Sequence, residues 1–284
     1  MARPLRLEVA GAVYFVSSHC PEGSVAFRDG EDALALQGIL AQAMRRFDAQ
    51  VLAYSLLPTR YELLLFTRQA NLSRLMRHVI GVYTQNHQRR HGAGGALFQG
   101  RFRAVLVDRE AHLLDACRAV ELAPRQAGLV KRVAAWPHSS LPAHLGQVPA
   151  PAWLDVDGLH GHLLGRPART AQDHRRAATR YLELLERDPG FDPWTGRLRR
   201  QIFLGDAAFV ERMRRAAAGA PPEPSARSVR TQWRAWCARY PDRAEALFAA
   251  HFEGGLSMTS LAGEAGLSVS RVSRIIAAQE RLGG

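Results

Sequence analysis

In the first half of the chain, short apolar and β-branched runs alternate with stretches whose apolar residues recur at helical spacing. AVYFVSS (residues 12–18), VLAYSLL (51–57), YELLLFT (61–67) and FRAVLVD (102–108) predict strands. Pro58-Thr59 is a turn signal, so the second and third strands predict a hairpin. Leu36, Ile39, Leu40, Ala43, Met44 and Phe47 predict a helix behind Glu31-Asp32. A second helix is predicted from Asn71, a residue suited to capping. It carries Leu72, Leu75, Met76, Val79 and Tyr83 on one face and stops near His91-Gly92. AHLLDACRAVEL (111–122) predicts a third helix, ended by Pro124. The order strand–helix–strand–strand–helix–strand–helix predicts an α+β domain over residues 1–146, with a ferredoxin-like antiparallel sheet and helices on one face.

Residues 147–218 read as a helical extension, with periodicity in RRAATRYLELLERDP and GDAAFVERMRRAA and Asp206 as a cap for the latter. GAPPEPSARS (219–228) has linker composition, and residues 229–284 read as wholly helical. Within them, MTSLAGEAGLSVSRVSRIIA (258–277) fits a helix-turn-helix. Ala262 allows close helix packing, Gly266 supplies the turn position where positive φ is needed, and Val272 and Ile275 face inward. Ser268, Ser270, Arg271, Ser273 and Arg274 are then left where a recognition helix meets the major groove. An ordinary helical hairpin has the same spacing.

Composition narrows the function. Apolar residues at 47% and charged residues at 23% are ordinary for a globular chain and argue against wholesale disorder. No apolar run approaches the roughly 18 residues of a membrane span, and the N-terminus lacks a signal-peptide core. Cys20, Cys117 and Cys237 are far apart, which excludes a disulfide scaffold or a Cys-x-x-Cys metal clip and suits a reducing cytoplasm. Lys and Arg number 38 against 26 Asp and Glu, a net charge of +12, and the excess sits mainly in the first half. All but Lys131 of the basic residues are arginine. Arginine suits bidentate phosphate contacts, although a GC-rich genome also raises its frequency. Nucleic acid is the leading partner class, ahead of any membrane surface.

Several stretches together carry a resemblance: MARPLRLEVAGAVYFVSS, NLSRLMRHVIGVYTQNHQRRHG, LFQGRFRAVLVDRE and AGLVKRVAAWPHSSLPAHLG, followed by PAWLDVDGL and LRRQIFLGDAAFVERM. They resemble the REP-associated tyrosine transposases, a branch of the single-tyrosine HUH transposases, over most of residues 1–217. The resemblance implies a small bacterial α+β domain that binds single-stranded DNA hairpins at repeated palindromes. Such a domain cuts them with a tyrosine and a divalent metal such as Mg²⁺. The family's metal-binding strand reads Pro-Asn-His-x-His-Leu-Leu, and alternation puts both histidines on one face. Here the strand is Pro58-Thr59-Arg60-Tyr61-Glu62-Leu63-Leu64, so Arg60 and Glu62 replace the pair. Aligned on Pro124, Ala119 stands at the nucleophile position and Ala123 at the asparagine four residues later. A guanidinium cannot ligate a cation, and one carboxylate makes a poor site. The expectation is a transposase fold with no catalytic residue and no cofactor, in which Arg60 and Glu62 share a face and either form an ion pair or stand as two unpaired surface residues.

Other candidates read more plainly. Tyr83 lies on the apolar stripe of its helix, so core packing is expected rather than nucleophilic work. His87 and His91 are one helical turn apart, but the sequence places no carboxylate or cysteine beside them, and a phosphate-facing surface is expected. His160 and His162 do not converge. Arg89, Arg90, Arg101 and Arg103 surround the glycine-rich stretch 92–95, with Phe98 and Phe102 interleaved. Such a group can clamp phosphates and stack on bases, although Phe102, on a strand, is expected in the core. The overall expectation is a domesticated, cleavage-inactive DNA-binding protein of the cytoplasm, associated with the nucleoid. It would read hairpin or palindromic DNA with its core and duplex through the helix-turn-helix, in transcription regulation or chromosome organisation. An active transposase and an RNA-hairpin binder are the alternatives. A homodimer on a palindrome is compatible with the helix-turn-helix, although no stretch reads as a dimerisation seam.

Overall fold

The computed structural model describes residues 7–92, 94–219, 226–252, 256 and 258–282. The chain divides into two compact units, Met1–Ala220 and Pro221–Gly284.

In the first unit, β1 (Ala12–His19), α1 (Gly30–Arg46), β2 (Ala49–Leu57), β3 (Arg60–Thr67), α2 (Leu72–His91), β4 (Arg103–Val107) and α3 (Arg109–Gln126) follow the order read from the sequence. A single turn α4 (Leu141–His144), α5 (Val156–Leu164), α6 (Ala171–Arg187), the two-residue strand β5 (Phe203–Leu204) and α7 (Ala207–Ala218) complete it. The sheet order is β2-β3-β1-β4-β5. The first four strands pair antiparallel, and β5 adds parallel to β4. The β2–β3 hairpin turns through Pro58-Thr59, with Leu57 opposite Arg60.

Helices cover both faces of this sheet, not one. Tyr14, Val16, Leu63 and Leu65 share a core with Leu36 and Leu40 of α1 and Met76 and Val79 of α2. Val13, Phe15, Leu64, Val105 and Val107 share a second core with Leu113, Ala116 and Val120 of α3, Leu159 of α5, and Tyr181 and Leu185 of α6. The reason lies in β1, where every residue from Ala12 to Val16 is buried. A continuous apolar run, not an alternating one, belongs to a strand covered on both sides. Residues 147–218 are therefore integral to the unit, since together with α3 they cover the second face.

One cap and one boundary differ from the sequence reading. Asn71 occupies the N-cap of α2, but its side-chain amide donates to Phe47 O at 2.8 Å, and Glu8 Oε1 accepts the Ser73 N–H at 2.6 Å in its place. Pro124 lies inside α3, which runs on to Gln126. Proline there removes one hydrogen bond of the last turn, while Ala127 N–H still reaches Ala123 O at 2.9 Å. At the other end of α2, Gly92 adopts φ +65°, the left-handed cap for which a side chain would be strained.

The second unit contains α8 (Ala226–Arg239), α9 (Arg243–Phe252), α10 (Met258–Ala265) and α11 (Val269–Leu282). Trp233, Ala246, Leu247, Ala250, Leu256, Leu261, Ala262, Ala265, Val272 and Ile276 form its core. Gly266 takes φ +65° between α10 and α11, at the turn position read from the sequence. Ile276, not Ile275, is the fully covered isoleucine; Ile275 is only partly buried. Of the segment read as a linker, residues 220–225 lie outside the described residues, and α8 already begins at Ala226. Among the described residues no helix is long and apolar enough to cross a membrane.

Candidate nucleic-acid interface

Strand alternation places Ser17 and His19 of β1, Arg60 and Glu62 of β3 and Arg103 of β4 on the sheet face that carries α3. In register, Ser17 lies opposite both Glu62 and Arg103, and His19 lies opposite Arg60. Arg60 and Glu62 form an ion pair, with Nε 2.9 Å from Oε1 and side chains 23% and 12% exposed. Burial raises the Glu62 pKa, while Arg60 and then Arg103 pull it down. Burial, then Arg60 and Arg103, lower that of His19. A divalent ion does not fit this donor set. The Glu62 oxygen is held by a guanidinium, and no three metal-binding groups converge on this face among the described residues. Ala119 and Ala123, which the resemblance would align with a nucleophile and an asparagine, are both buried.

Segment 188–198 packs over the same face. Trp194 stacks on Phe15 with ring centroids 4.1 Å apart, and the Arg118 guanidinium sits 4.0 Å from the centre of Phe191. Gln126 Nε2 donates to Phe191 O at 2.9 Å, and Arg197 lies 3.7 Å from Asp115. The charge of Asp192 reaches Glu62. Nothing local beyond the aromatic residues signals this cover, because the contacts join positions more than 60 residues apart.

The arginines around the glycine-rich stretch divide into two groups. Arg89, Arg101 and Arg103 are exposed. Arg89 makes only a 3.5 Å contact with Asn86 Oδ1, and Arg101 and Arg103 form no ion pair among the described residues. Arg90 is structural: its two terminal nitrogens hold Asp29 at 2.7 Å each, and one of them also holds Asp32 at 2.5 Å. The ion pair pushes Asp29 well below the usual carboxylate range. Gln99 N–H donates to His19 O at 2.7 Å, so the loop that bears Arg101 docks at the end of β1. Arg60, Arg101 and Arg103 thus gather at one end of the sheet. Phe98, expected among the exposed stacking aromatics, is buried edge-on against Tyr61 at 5.0 Å. Phe102 is half-buried against the first core.

Tyr83 belongs to that core. Its hydroxyl donates to Ala26 O at 2.6 Å, and burial raises its pKa, the opposite of what a nucleophile needs. His87 and His91 do have a carboxylate neighbour. Asp32, brought in by the first turn of α1, lies 2.9 Å from His91 Nε2. Sequence spacing could not show this, because the contact spans 59 positions. Burial, then the charge of His91, lower the His87 pKa, with Asp32 opposing. Beside His87 opens a cavity of about 500 Å³, lined also by Arg28, Gln88, Gly94 and Gly95.

In the second unit, Arg271, Arg274 and Ser270 are exposed on α11 and Ser273 is half-buried. Ser268 is exposed and caps the helix: its Oγ accepts the Arg271 N–H at 3.2 Å. A buried polar network on α3 escaped the sequence reading. Glu121 Oε1 accepts from Ser140 Oγ and sits 2.7 Å from His144 Nδ1, with both ionisable side chains fully buried. His160 joins it through His144 O at 2.8 Å and meets His174 at 2.9 Å.

No protein-family model matches the chain, and no curated protein matches it. Among solved structures the chain is similar to a REP-associated tyrosine transposase bound to a REP hairpin, at 16% identity and a TM-score of 0.45. The likeness covers 53% of this chain and 89% of that one.

Proposed function

We propose that this chain binds nucleic acid without cutting it: a relative of the HUH transposases that holds hairpin or palindromic DNA at the arginine-rich end of its sheet. The observation that carries the reading is the Arg60–Glu62 ion pair at the position where the resembling family binds its metal. A guanidinium there excludes the metal yet keeps positive charge facing a phosphate backbone. The exposed Arg89, Arg101 and Arg103, beside glycines that let a backbone approach, supply the remaining contacts. Arg271 and Arg274 on α11 would add duplex contacts, and the tether between the units would raise the joint affinity. Such a protein suits gene regulation or chromosome organisation at the nucleoid.

The test is fluorescence anisotropy with a labelled DNA hairpin, the matched RNA hairpin and a duplex, across a salt series. Each of Arg89→Ala, Arg101→Ala and Arg103→Ala should weaken hairpin binding and lower the salt slope by about 1. Arg271→Ala with Arg274→Ala should weaken duplex binding alone. Incubation with Mg²⁺ or Mn²⁺ should leave the hairpin intact; a covalent protein–DNA adduct would establish an active transposase instead. Preference for the RNA hairpin would move the target class to RNA.

A further inference from the structure

We infer that Asp32, His87 and His91 form a binding site for a divalent transition-metal ion of the zinc class. The site is independent of the DNA-binding reading and lies across the sheet from Arg60 and Glu62. One helical turn on α2 separates the two histidines, and their ring centroids stand 4.4 Å apart. Asp32 enters from α1, and one ligand atom from each of the three residues lies within 4.8 Å of the others. His91 Nε2 is 2.9 and 3.1 Å from the two Asp32 oxygens. Those separations approach the roughly 3.3 Å between ligand atoms of a tetrahedral ion with bonds near 2.0–2.1 Å.

Burial makes the cluster more than a surface coincidence. The side chains of Asp32 and His91 are 3% and 12% exposed, and His87 is 3% exposed. Neither ring nitrogen of His87 makes a well-formed hydrogen bond among the described residues; a backbone contact with Val25 is the weakest of the influences on its pKa. A buried imidazole so poorly partnered is costly unless something accepts its lone pair. A metal ion does so. Arg90 holds Asp32 Oδ1 at 2.5 Å and the Arg28 N–H holds Oδ2 at 2.9 Å, so the ion would enter in place of the His91–Asp32 contact, on the lone pairs those two donors leave free.

Two histidines and one carboxylate are the three-ligand set that zinc takes when a fourth position stays open. The fourth position would face the cavity that His87 lines, beside Arg28 and the glycine-rich stretch. A water or an anionic oxygen fits there. Bound in this way, the ion would tie the start of α1 to the end of α2, where the arginine-bearing loop departs.

Cobalt(II) is the probe, because a four-coordinate ion gives intense visible bands that an octahedral one lacks. The full-length protein should take up one equivalent with such bands, and zinc should displace it. His91→Gln and Asp32→Asn should each weaken binding about tenfold or more, with His160→Gln unchanged. His91→Cys should restore affinity and add a near-ultraviolet thiolate band, which separates a lost ligand from a lost fold. Undiminished binding by His91→Gln would overturn the site. So would a thiolate band in the unaltered protein, which would place the ion on the exposed Cys237, or weak binding with octahedral bands only.

Discussion

Replacing Glu62 with glutamine should stabilise the first unit at neutral pH, even though the change removes an ion pair. The Glu62 side chain is 12% exposed, and burial outweighs Arg60 and Arg103, so the folded-state pKa lies above its ordinary 4.5. An acid with a raised pKa keeps its proton in the folded chain at pH values where the unfolded chain has lost it. Its contribution is therefore most favourable below pH 4.5 and declines as pH rises through the folded value. Glutamine keeps the shape and the acceptor for Arg60 Nε but removes that decline. The gain should be on the order of 1 kcal/mol at pH 8, the low end for a buried pair replaced by uncharged groups. Arg60→Ala does the reverse, leaving the carboxylate unpaired, and should cost about 2–3 kcal/mol because Arg60 is itself partly exposed. For a unit of this size, 1 kcal/mol moves the melting temperature by about 2–4 °C. Calorimetry at pH 4 and pH 8 suits a chain of two units, for which one two-state transition cannot be assumed. Glu62→Gln should raise the first unit's transition at pH 8 and leave it nearly unchanged at pH 4. A fall at pH 8 comparable to that of Arg60→Ala would refute the reasoning and show a pair with net stabilising strength.

Tyr83→Phe should destabilise the unit by about 1–3 kcal/mol, because Ala26 O loses its buried donor, and leave hairpin affinity unaltered; calorimetry and anisotropy on one preparation check both. Glu121→Ala strands the fully buried His144 and should cost about 3–5 kcal/mol, largely independent of salt, in urea unfolding of the same unit.

Local signals carried the elements of the first unit well. The strand runs, the Pro58-Thr59 hairpin, the apolar stripes of α1 and α2 and the Asp206 cap, whose side chain accepts the Phe209 N–H at 2.7 Å, are all periodicity or turn chemistry. The two-sided cover was also legible, in the unbroken apolar run of β1, which a sheet covered on one face does not need. Strand β5 was not legible, since two residues are too short for any period to show. Alternation alone put Arg60 and Glu62 on one face; that they pair rather than stand apart is a finding of the structure. Arg90 could not be told from Arg89, because helical spacing does not reveal that Asp29 and Asp32 wait at the end of another helix. The same long-range contact brought a carboxylate to His87 and His91. Ser268 shows the converse limit: one hydroxyl serves equally well as a cap or as a DNA contact until the helix start is known.

For any ligand of the face it covers, the segment that lays Trp194 on Phe15 would be a competitor supplied by the chain itself. A tethered occupant sits at an effective concentration of millimolar order, so any strand seeking that face binds with an affinity reduced by the fraction of time the occupant is seated. The toll falls on that face alone. Arg101 and Arg103 are themselves exposed, so a ligand can dock on them without displacing the aromatic stack. The indole of Trp194 would then serve as a built-in gauge: its emission should stay constant when nucleic acid binds at the arginine end and shift only when the aromatic stack is opened.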